Sequence, residues 1–349
     1  MTSLVIQTAF LGDVVLTTPL LEALAARHGP VDVVTTPAAA TLIETHPAVR
    51  RVIPYDKRGR DRGLPGFVRM VRTLRAGRYD VAYLPHRSLR SAALAWLASI
   101  PQRIGFTDGW RSLYTESRAR PEQGHEIDRL LALGDVTSTP GVRPRLRITE
   151  ADRARTQEFL RAHGVGVGVG VDEPMVALAP GSIWGSKRWA YYPELAQRLV
   201  ASVAIVVVGS PEDRALGDEV VHAVEAGATP GRAVNACGSL TLRQSAEAIR
   251  RSKALVTNDS APLHLAQAVE TPTVAIFGST VPAFGFGPRG PRDQVVELTG
   301  LPCRPCSRHG PPVCPLGHHR CMRDVGVERV LAAIAATGAL GPGVGAGAA

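Results

Sequence analysis

Short apolar runs alternate with amphipathic stretches along most of this 349-residue chain. Apolar runs bounded by turn residues indicate buried strands, and apolar residues at intervals of three and four indicate helices that cover a sheet. In the first half, strands are predicted at 4–8, 31–35 and 81–84, and a loop at 9–12 leads into a predicted helix at 14–28. This alternation is typical of a doubly wound parallel sheet.

The second half of the chain repeats the alternation. Its predicted strands lie at 176–179, 204–208, 233–235, 254–257 and 274–277. Its predicted helices lie near 193–200, 212–225, 242–251 and 262–269. The pattern therefore predicts an α/β protein with two Rossmann-like domains.

An alternating Gly-Val stretch separates the two halves at 164–171. Glycine at every second position would leave one face of a strand with nothing to pack, so this stretch indicates a linker. We predict a first domain at 1–165, a linker at 166–174 and a second domain at 175–337, whose final helix could pack back on the first domain. The small-residue sequence at 338–349 is predicted to fray.

The composition is that of an ordinary globular protein, because 45% of the residues are hydrophobic and 20% are charged. No run of about 18 apolar residues occurs, and the first predicted strand begins close to the amino terminus with no charged leader before it. We therefore expect a cytoplasmic protein without a membrane span.

The excess of positive charge lies in the first half. Residues 1–165 hold 24 Lys and Arg against 16 Asp and Glu, whereas residues 166–349 hold 16 against 15. Nucleic acid, an anionic membrane surface or a phosphorylated glycolipid would each suit this field. A solvated arginine-rich surface would explain the same residues without a partner. No helix-turn-helix, zinc-finger or RNA-binding motif is present, so nucleic acid has no further support.

A closely spaced set of basic residues contributes much of this charge. The last three members are three residues apart, which puts their side chains along one helical face. The set is Lys57, Arg58, Arg60, Arg62, Arg69, Arg72 and Arg75.

Three turns of the second half indicate a diphosphate ligand. Each follows a predicted strand, and the carboxyl ends of parallel strands meet at one edge of a sheet. A turn into a helix directs unpaired backbone N–H groups and the positive end of the helix dipole at the space above it, which suits phosphate. The turns are Ala179-Pro180-Gly181-Ser182, Asn258-Asp259-Ser260-Ala261 and Phe277-Gly278-Ser279-Thr280.

Side chains of these turns are candidates for binding a nucleotide sugar. Asp259 could bind sugar or ribose hydroxyls, while Ser260 and Ala261 could offer N–H groups to the diphosphate. Helix capping would explain Asp259 or Ser260 without any ligand. A lone histidine one helical turn further on is more often a satisfied structural residue than a catalyst. The candidates from the turns and the helix that follows are Ser182, Asp259, Ser260, Ala261, His264 and Thr280.

Charged residues near the turns extend this candidate site. Lys187 and Arg188 follow the first turn closely enough to return over it, where positive charge would neutralise a departing diphosphate. An exposed basic pair is the alternative. Glu212 follows the strand predicted at 204–208 and could hydrogen-bond a ribose, but acidic residues are common in the first turn of any helix.

The first half offers Asp13 as a reactive group. Gly12 permits a tight turn after the first predicted strand, and Asp13 stands at the entrance of the next helix. A carboxylate there could take the proton of an acceptor hydroxyl as a general base. Aspartate is also a preferred N-cap residue, so a purely structural role is the alternative.

Motifs of other nucleotide enzymes are absent from the sequence. There is no Gly-x-Gly-x-x-Gly after the first predicted strand and no Gly-x4-Gly-Lys-Ser/Thr, so dinucleotide redox and P-loop phosphotransfer lose their main support. No Asp-x-Asp occurs, so a carboxylate pair that holds a divalent ion under a nucleotide is not evident. A cationic side chain and helix N-termini would then neutralise the diphosphate.

Four cysteines cluster near the carboxyl terminus of a cysteine-poor chain. Cytosolic redox conditions argue against disulfides between them. A structural zinc or iron–sulfur site would suit four thiolates, but the spacing lacks the second Cys-x2-Cys pair of a zinc ribbon. Free thiols in a surface loop are the alternative. The four are Cys303, Cys306, Cys314 and Cys321.

Together these residues resemble the ADP-heptose:lipopolysaccharide heptosyltransferases, glycosyltransferase family 9, and are most similar to its heptosyltransferase II branch. The likeness extends to about residue 335, and the order and spacing of short motifs carry it. In the first half the motifs are Gly12-Asp13 with Thr17 and Pro19, Pro85-His86-Arg87-Ser88-Leu89-Arg90-Ser91 and Arg103-Ile104-Gly105-Phe106. In the second half they are the three turns, Lys187-Arg188-Trp189 and Cys314-Pro315-Leu316-Gly317-His318-His319-Arg320-Cys321-Met322.

The resemblance implies a GT-B fold, in which two Rossmann-like domains with parallel sheets face each other across a cleft. The nucleotide sugar would bind to the second domain and the acceptor to the first. The resemblance further implies inverting transfer of L-glycero-D-manno-heptose from ADP-heptose to the lipopolysaccharide inner core, without a metal or other cofactor in catalysis. It implies that Asp13 is the base, that Lys187 binds phosphate and that Asp259, Ser260 and Ala261 match the family's Asp-Ser-Gly turn.

The resemblance also implies the partners. The donor would be ADP-heptose, and the acceptor would be phosphorylated lipid A-core at the inner leaflet. The protein would then be cytoplasmic and peripheral to the inner membrane, with Arg60, Arg62 and His86 as acceptor contacts.

The sequence departs from the family pattern in three places. Ala261 stands where glycine is usual, Ala190 where proline commonly follows Lys-Arg-Trp, and Ser279 where proline is common. The Cβ of Ala261 would hold the backbone further from the diphosphate, at little cost if the residue is helical.

Two other functions fit the same residues. One is a transferase or epimerase that acts on another nucleotide sugar, because a fold does not fix its chemistry. The other is a non-catalytic nucleotide-sugar binder in which Asp13 only caps its helix.

Overall fold

The computed structural model describes residues 1–165, 174–228 and 232–340. Apart from Pro174, the predicted linker at 166–174 lies outside the described residues, as does 341–349 of the predicted tail.

The chain folds into two compact units, Met1–Arg147 and Ile148–Ala349. The second unit therefore begins before the boundary that we placed at 165. The helix Glu150–Ala162 belongs to it, because Asp152 of this helix accepts a hydrogen bond from Arg243 Nε at 2.8 Å. The last part of the predicted first domain thus packs with the second unit.

The first unit is one sheet of six parallel strands with helices between them. The strands are β1 (Ser3–Ile6), β2 (Val31–Thr35), β3 (Val49–Pro54), β4 (Val81–Leu84), β5 (Gln102–Phe106) and β6 (Glu116–Arg118). The helices are α1 (Leu11–His28), α2 (Pro37–Ile43), α3 (Gly63–Ala76), α4 (Leu89–Leu97) and α5 (Glu126–Leu133). The strand order is β3-β2-β1-β4-β5-β6.

The second unit has the same organisation. Its strands are β7 (Met175–Ala179), β8 (Ala204–Val207), β9 (Ala233–Asn235), β10 (Ala254–Asn258), β11 (Thr273–Phe277) and β12 (Gln294–Glu297). Its helices are α6 (Glu150–Ala162), α7 (Tyr192–Leu199), α8 (Arg214–Glu225), α9 (Leu242–Arg251), α10 (Ala261–Ala268), α11 (Arg320–Arg323) and α12 (Val327–Ala336). The strand order is β12-β11-β10-β7-β8-β9.

Both sheets have the doubly wound order, in which the first strand of the unit lies beside the fourth. The chain leaves β1 toward β2 on one side and returns to β4 on the other, and β7, β8 and β10 repeat this arrangement. Ligands of open parallel sheets bind beyond the carboxyl ends of the strands at this switch point. The predicted α/β, GT-B class with two Rossmann-like parallel sheets is confirmed.

The strands at the centre of each sheet are buried along their whole length because helices cover both faces there. β1, β4, β7 and β11 have no exposed residue. Their sequences are accordingly continuous apolar runs rather than alternating ones.

One predicted helix begins earlier than expected. Helix α1 begins at Leu11, three residues before its predicted start, so Asp13 lies inside the first turn rather than before it. Helix α12 packs on the core of its own unit through Val327, Val330 and Ile334. Among the described residues, no helix has both the length and the apolar character to cross a membrane.

Candidate functional site

The three predicted turns of the second unit leave its sheet at one edge. Thr257 of β10 pairs with Ala179 of β7 on one side and with Ala275 of β11 on the other. The loops that follow these three strands therefore start side by side. The register thus brings together the first two turns at the switch point and the third beside them.

Asn258 ties the turns together. The residue is fully buried, and its Nδ2 donates to the carbonyl of Pro180 at 2.8 Å. Its Oδ1 accepts from the backbone N–H of Trp189 at 3.2 Å and from the Tyr192 hydroxyl at 3.3 Å. One amide thus fixes the loop after β7, the segment after Lys187 and the start of α7, a role that the sequence did not suggest.

Lys187, Asp259 and Thr280 form the centre of the site. Lys187 Nζ lies 2.6 Å from Asp259 Oδ2 and 3.3 Å from the Asp259 carbonyl oxygen. Thr280 Oγ1 donates to the same carboxylate oxygen at 2.6 Å. The Lys187 and Asp259 side chains are only 10% and 11% exposed, so water screens the pair weakly. Three predicted residues from three different loops therefore meet here.

A second layer of contacts holds this centre from the carboxy-terminal loop. Ser186 Oγ lies 2.9 Å from Ser279 Oγ, and the carbonyl of Ser186 lies 2.9 Å from His319 Nε2. Gly310 has φ +81°, and a Cβ there would lie 3.2 Å from Lys187 Cε and 2.8 Å from Ser279 Oγ. Glycine at 310 therefore lets this loop cover the lysine stem, and Ser279 uses its hydroxyl where proline would offer none.

The start of α10 supplies the predicted backbone donors. Ser260 is the N-cap in an extended conformation, without a side-chain capping bond. Ala261 is the first helical residue, which is the case in which replacing glycine costs little. Pro262 removes one N–H in the first turn.

His264 lies in this helix as a buried structural residue. Its side chain packs edge-on to Phe286, with ring centroids 6.4 Å apart. Burial lowers the pKa of His264 to about 4, an effect that the Asp259 carboxylate opposes and the Lys187 charge reinforces. The imidazole is therefore neutral near pH 7, and its buried Nδ1 has no hydrogen-bond partner among the described residues, so it is not fully satisfied.

Ser182 and Glu212 occupy different environments. Ser182 is buried; its Oγ accepts from the Trp184 N–H at 3.3 Å, and its carbonyl accepts from Arg188 Nε at 3.0 Å. Glu212 is fully exposed in a short 3-10 turn at Pro211–Asp213. Its carboxylate is therefore accessible, whereas Ser182 is engaged in shaping the first turn.

Asp213 lies next to the first turn, and the sequence analysis did not single it out. Its Oδ2 accepts from the backbone N–H and the hydroxyl of Ser210 at 2.9 and 2.8 Å. A Cβ on Gly181 would lie 2.2 Å from the Asp213 carboxyl group. The Ser-x-x-Asp spacing is a capping-box signal that could have identified this residue.

The cysteine cluster is made of free thiols in the described residues. Cys306 Sγ lies 3.4 Å from the Cys303 carbonyl, and Cys314 Sγ accepts from the His319 N–H at 3.4 Å. Burial raises the pKa of Cys321 to about 11. No His, Cys, Asp or Glu group in the part of the chain that the structure describes is arranged to hold a metal ion. The expectation of a zinc or iron–sulfur site thus gains no support from the structure.

Asp13 of the first unit lies just beyond the carboxyl end of β1. It occupies the third position of α1, where its Oδ2 accepts from the backbone N–H of Phe10 at 3.1 Å. The N-cap position that the sequence suggested for Asp13 belongs to Phe10. The side chain still contributes to capping, but from inside the helix, and it is half-buried.

His86 follows β4, the neighbour of β1. Its Nε2 lies 3.4 Å from Thr8 Oγ1 and 3.3 Å from Ser91 Oγ. Lys57 Nζ donates to the Thr8 carbonyl at 2.7 Å. Burial, and then the charge of Lys57, lowers the pKa of His86 to about 4. A neutral histidine and a lysine therefore meet at the switch point of the first sheet, where only the histidine was predicted to contact the acceptor.

The two predicted acceptor arginines lie before α3. Arg62 is the N-cap residue of α3 and is exposed. Arg60 is 76% exposed, with its guanidinium 3.7 Å from the buried carboxylate of Asp61. Arg69 binds the same carboxylate from within α3. Positive charge on this side of the unit thus remains largely in contact with water.

Comparisons with known proteins agree with this geometry. The sequence model of glycosyltransferase family 9 (heptosyltransferase) matches residues 67–315. The lipopolysaccharide heptosyltransferase 2 of Escherichia coli K12 is 29% identical, over 94% of this chain and 96% of that protein. A family 9 glycosyltransferase of Veillonella parvula has 25% identity and a TM-score of 0.82, over 96% of both chains. The solved ADP-heptose heptosyltransferase II of E. coli has 27% identity and a TM-score of 0.76, over 97% of this chain and 98% of that one.

Proposed function

Because the chain belongs to glycosyltransferase family 9, the heptosyltransferase family, we propose that it transfers L-glycero-D-manno-heptose from ADP-heptose to the inner core of lipopolysaccharide. The reaction is a single displacement that inverts the anomeric centre and uses no metal. The observation that supports it best is the Lys187–Asp259–Thr280 centre beside the amino terminus of α10.

The second unit binds the donor. Lys187 and the backbone N–H groups at Ser260 and Ala261 neutralise the diphosphate, as expected where charge develops in a reaction. Asp259 holds the Lys187 ammonium until the nucleotide arrives. The diphosphate then competes for that ammonium, and the freed carboxylate can accept hydrogen bonds from sugar hydroxyls.

Thr280 and Glu212 complete the donor site. Thr280 already donates to Asp259, and it can turn the same hydroxyl to a phosphate oxygen when the carboxylate takes a sugar hydroxyl. The exposed carboxylate of Glu212, beyond β8, accepts from the ribose. Ser182 shapes the first turn, and His264 anchors α10 through its buried side chain, which packs against Phe286.

The first unit supplies the base. Asp13 takes the proton of an acceptor hydroxyl as that oxygen attacks the anomeric carbon on the face opposite ADP. The hydrogen bond from the Phe10 N–H holds one carboxylate oxygen in place. ADP departs as a stable anion and needs no general acid, although the transition state has the oxocarbenium character found in glycoside hydrolysis.

The donor-site chemistry supports the proposal that no metal is needed. Nucleotide-sugar enzymes that use a divalent ion hold it with carboxylates, whereas the sequence has no Asp-x-Asp motif. Here an ammonium and helix amides carry the positive charge instead. Added chelator should therefore leave the rate unchanged.

The acceptor is phosphorylated lipid A-core presented at the cytoplasmic leaflet of the inner membrane. Arg60 and Arg62 offer guanidinium groups to its phosphates. The neutral imidazole of His86 offers a hydrogen bond rather than a charge. On this proposal the protein works as a peripheral membrane enzyme.

A direct assay tests the proposal. The protein is incubated with ADP-heptose, with and without a heptose-deficient core lipid, and ADP release and product are measured. ADP release that requires the acceptor, with inverted configuration in the product by NMR, supports it. Isomerisation of the donor without acceptor would indicate an epimerase, and nucleotide binding without either reaction would indicate a non-catalytic binder.

A further inference from the structure

One side of α3 exposes apolar side chains next to arginines. Leu64 is 73% exposed and Val68 is 37% exposed, one helical turn apart. Arg72 lies one further turn along the same stripe and is exposed. We refer to this surface as the α3 outer face. Its residues are Leu64, Pro65, Val68, Arg69, Arg72 and Thr73, which together line a shallow groove.

The opposite side of α3 anchors the helix in its unit. Met70 and Leu74 are buried in the first core, and Phe67 and Val71 pack partly against it. One apolar stripe of the helix thus packs in the core of the unit, and a second apolar patch is exposed to solvent. Exposed aliphatic side chains in a group, rather than singly, mark an interaction surface.

The charge of this surface has one sign. Helix α3 contains three arginines and no acidic residue. Asp61, just before the helix, is buried and engaged by Arg69. On the outer face, Arg72 therefore presents a charge that no acidic residue of the helix offsets, beside an aliphatic patch. A partner that is anionic and able to accept apolar side chains suits this combination.

We propose that the α3 outer face docks on the surface of an anionic lipid bilayer, with Leu64 and Val68 entering the headgroup region. This inference rests on the proposed function, because it names the surface by which the peripheral enzyme meets its membrane. Amphipathic helices that lie in the interface combine an apolar stripe with flanking Lys or Arg in this way. The long stem of Arg72 allows its guanidinium to reach phosphates while the helix lies flat.

A protein partner fits this surface less well. A stable interface buries about 800 Å² on each side around an apolar centre, and two aliphatic side chains fall well short of that area. Binding to lipid needs no such area, since each arginine near an anionic surface and each inserted side chain adds to the affinity separately.

Vesicle binding tests the proposal. The purified protein is sedimented with vesicles of phosphatidylcholine alone and of phosphatidylcholine mixed with phosphatidylglycerol, at low and high salt. We expect binding to the anionic vesicles that weakens as salt increases, because salt screens exposed charges. Equal binding to both vesicle types, or none to either, would overturn the proposal.

Two variants locate the contact. Leu64→Ser with Val68→Ser should weaken binding at least about tenfold, because the inserted apolar surface is lost. Arg72→Gln should weaken it about fivefold, the effect of one arginine near an anionic surface. Arg69 is left unchanged because it holds the buried Asp61.

Matched controls come from the second unit. Val313 and Leu316 are 74% and 63% exposed, and Arg329 is exposed on α12. Val313→Ser with Leu316→Ser, and Arg329→Gln, therefore repeat the chemical changes elsewhere. The controls should bind vesicles like the unmodified protein. If they weaken binding as much as the α3 variants do, the effect is not specific to α3 and the proposal is wrong.

Two more measurements separate this inference from its premise. Heptose transfer to a water-soluble core oligosaccharide should be unchanged in the α3 variants, because these residues contact neither reacting sugar. Vesicle binding without any transfer would refute the proposed function and leave the docking surface intact. Normal transfer without vesicle binding would support the proposed function and refute the docking surface. A dimer in ultracentrifugation that Leu64→Ser disrupts would identify a second copy of the chain as the partner instead.

Discussion

The candidate site residues of the two units hold their charges in different ways. In the second unit, the Lys187 ammonium lies 2.6 Å from Asp259, and both side chains are about nine-tenths buried. In the first unit, Arg60 and Arg72 point into water. A buried charge requires a partner, whereas an exposed one is hydrated and screened.

This difference corresponds to two kinds of ligand. A small ligand such as a nucleotide diphosphate can enter a compact site and exchange with an internal carboxylate, as the Lys187–Asp259 pair permits. A large anionic lipid cannot be enclosed, and exposed arginines meet it at its own surface. On the proposed function, each unit thus meets a different partner, although both have the same strand order.

The largest expected effect is a loss of turnover when the proposed base of the first unit is replaced. Asp13→Asn should lower turnover by more than about a hundredfold, because asparagine cannot take the proton. It can still accept the Phe10 N–H bond, so stability and ADP affinity should be unchanged. Steady-state kinetics, thermal unfolding and calorimetric ADP titration measure the three quantities.

Asp128→Asn is the matched control for that experiment. Asp128 holds the same third position in α5, where its Oδ2 accepts from the His125 N–H at 3.2 Å. Its replacement should leave turnover unchanged. Near-normal turnover of Asp13→Asn would show that this residue only caps its helix.

The next largest effect belongs to the second unit. Lys187→Met should lower turnover about a hundredfold or more, the scale of losing one preorganised charge-stabilising group, and should weaken ADP binding about tenfold or more. Because the change leaves Asp259 uncompensated, Lys187→Met with Asp259→Asn checks that the loss is not one of folding.

Arg188→Met is the control for Lys187. Arg188 is exposed and donates to the Ser182 carbonyl. It should retain most of the ADP affinity. If both replacements weaken ADP binding equally, general positive charge rather than the buried ammonium governs the donor site.

Acid should reduce the stability of the second unit through His264. Its folded pKa of about 4 lies below the ordinary value of 6.5, so the folded state resists protonation. The associated stability is complete above about pH 6.5 and is lost as the pH falls toward 4, by up to about 3 kcal/mol. Chemical unfolding across this pH range should show the loss.

His264→Gln should flatten that acid dependence, whereas His222→Gln should not, since His222 is exposed on α8. His86 carries a similarly lowered pKa in the first unit, so replacing each in turn would assign the acid sensitivity to one unit or the other. An unchanged slope in His264→Gln would contradict the burial argument.

The smallest expected effect concerns Thr280. Thr280→Val removes the hydroxyl that donates to Asp259, which should raise the donor KM about fivefold, in line with one hydrogen bond. Thr271→Val also removes a buried hydroxyl, the donor to the Ile249 carbonyl. It should affect stability but not KM, and the reverse result would remove Thr280 from the donor site.

Much of the fold could be predicted because the inner strands are continuous apolar runs. The predicted strands 31–35, 81–84 and 233–235 and the helix 242–251 agree with the structure residue for residue. Three of the four edge strands, β3, β6 and β12, were missed, as was β5. β3 carries Arg50 and Arg51, since an edge strand has one neighbour and tolerates polar side chains.

The site was predictable in its parts but not in its contacts. The turns follow from strand ends and glycine positions, which are local signals. The pairing of Lys187 with Asp259 joins residues 72 positions apart, and it depends on which strands become neighbours. Similarly, nothing local indicated that Gly310 would approach the lysine stem.

Few amino acids could replace Asn258. Its side-chain amide donates a hydrogen bond to the Pro180 carbonyl and accepts hydrogen bonds from the Trp189 N–H and the Tyr192 hydroxyl. An aspartate of equal size lacks the donor, a leucine lacks both functions, and a glutamine displaces the group by one methylene. The chemistry of one amide thus restricts which residues natural variation or protein engineering can place at position 258.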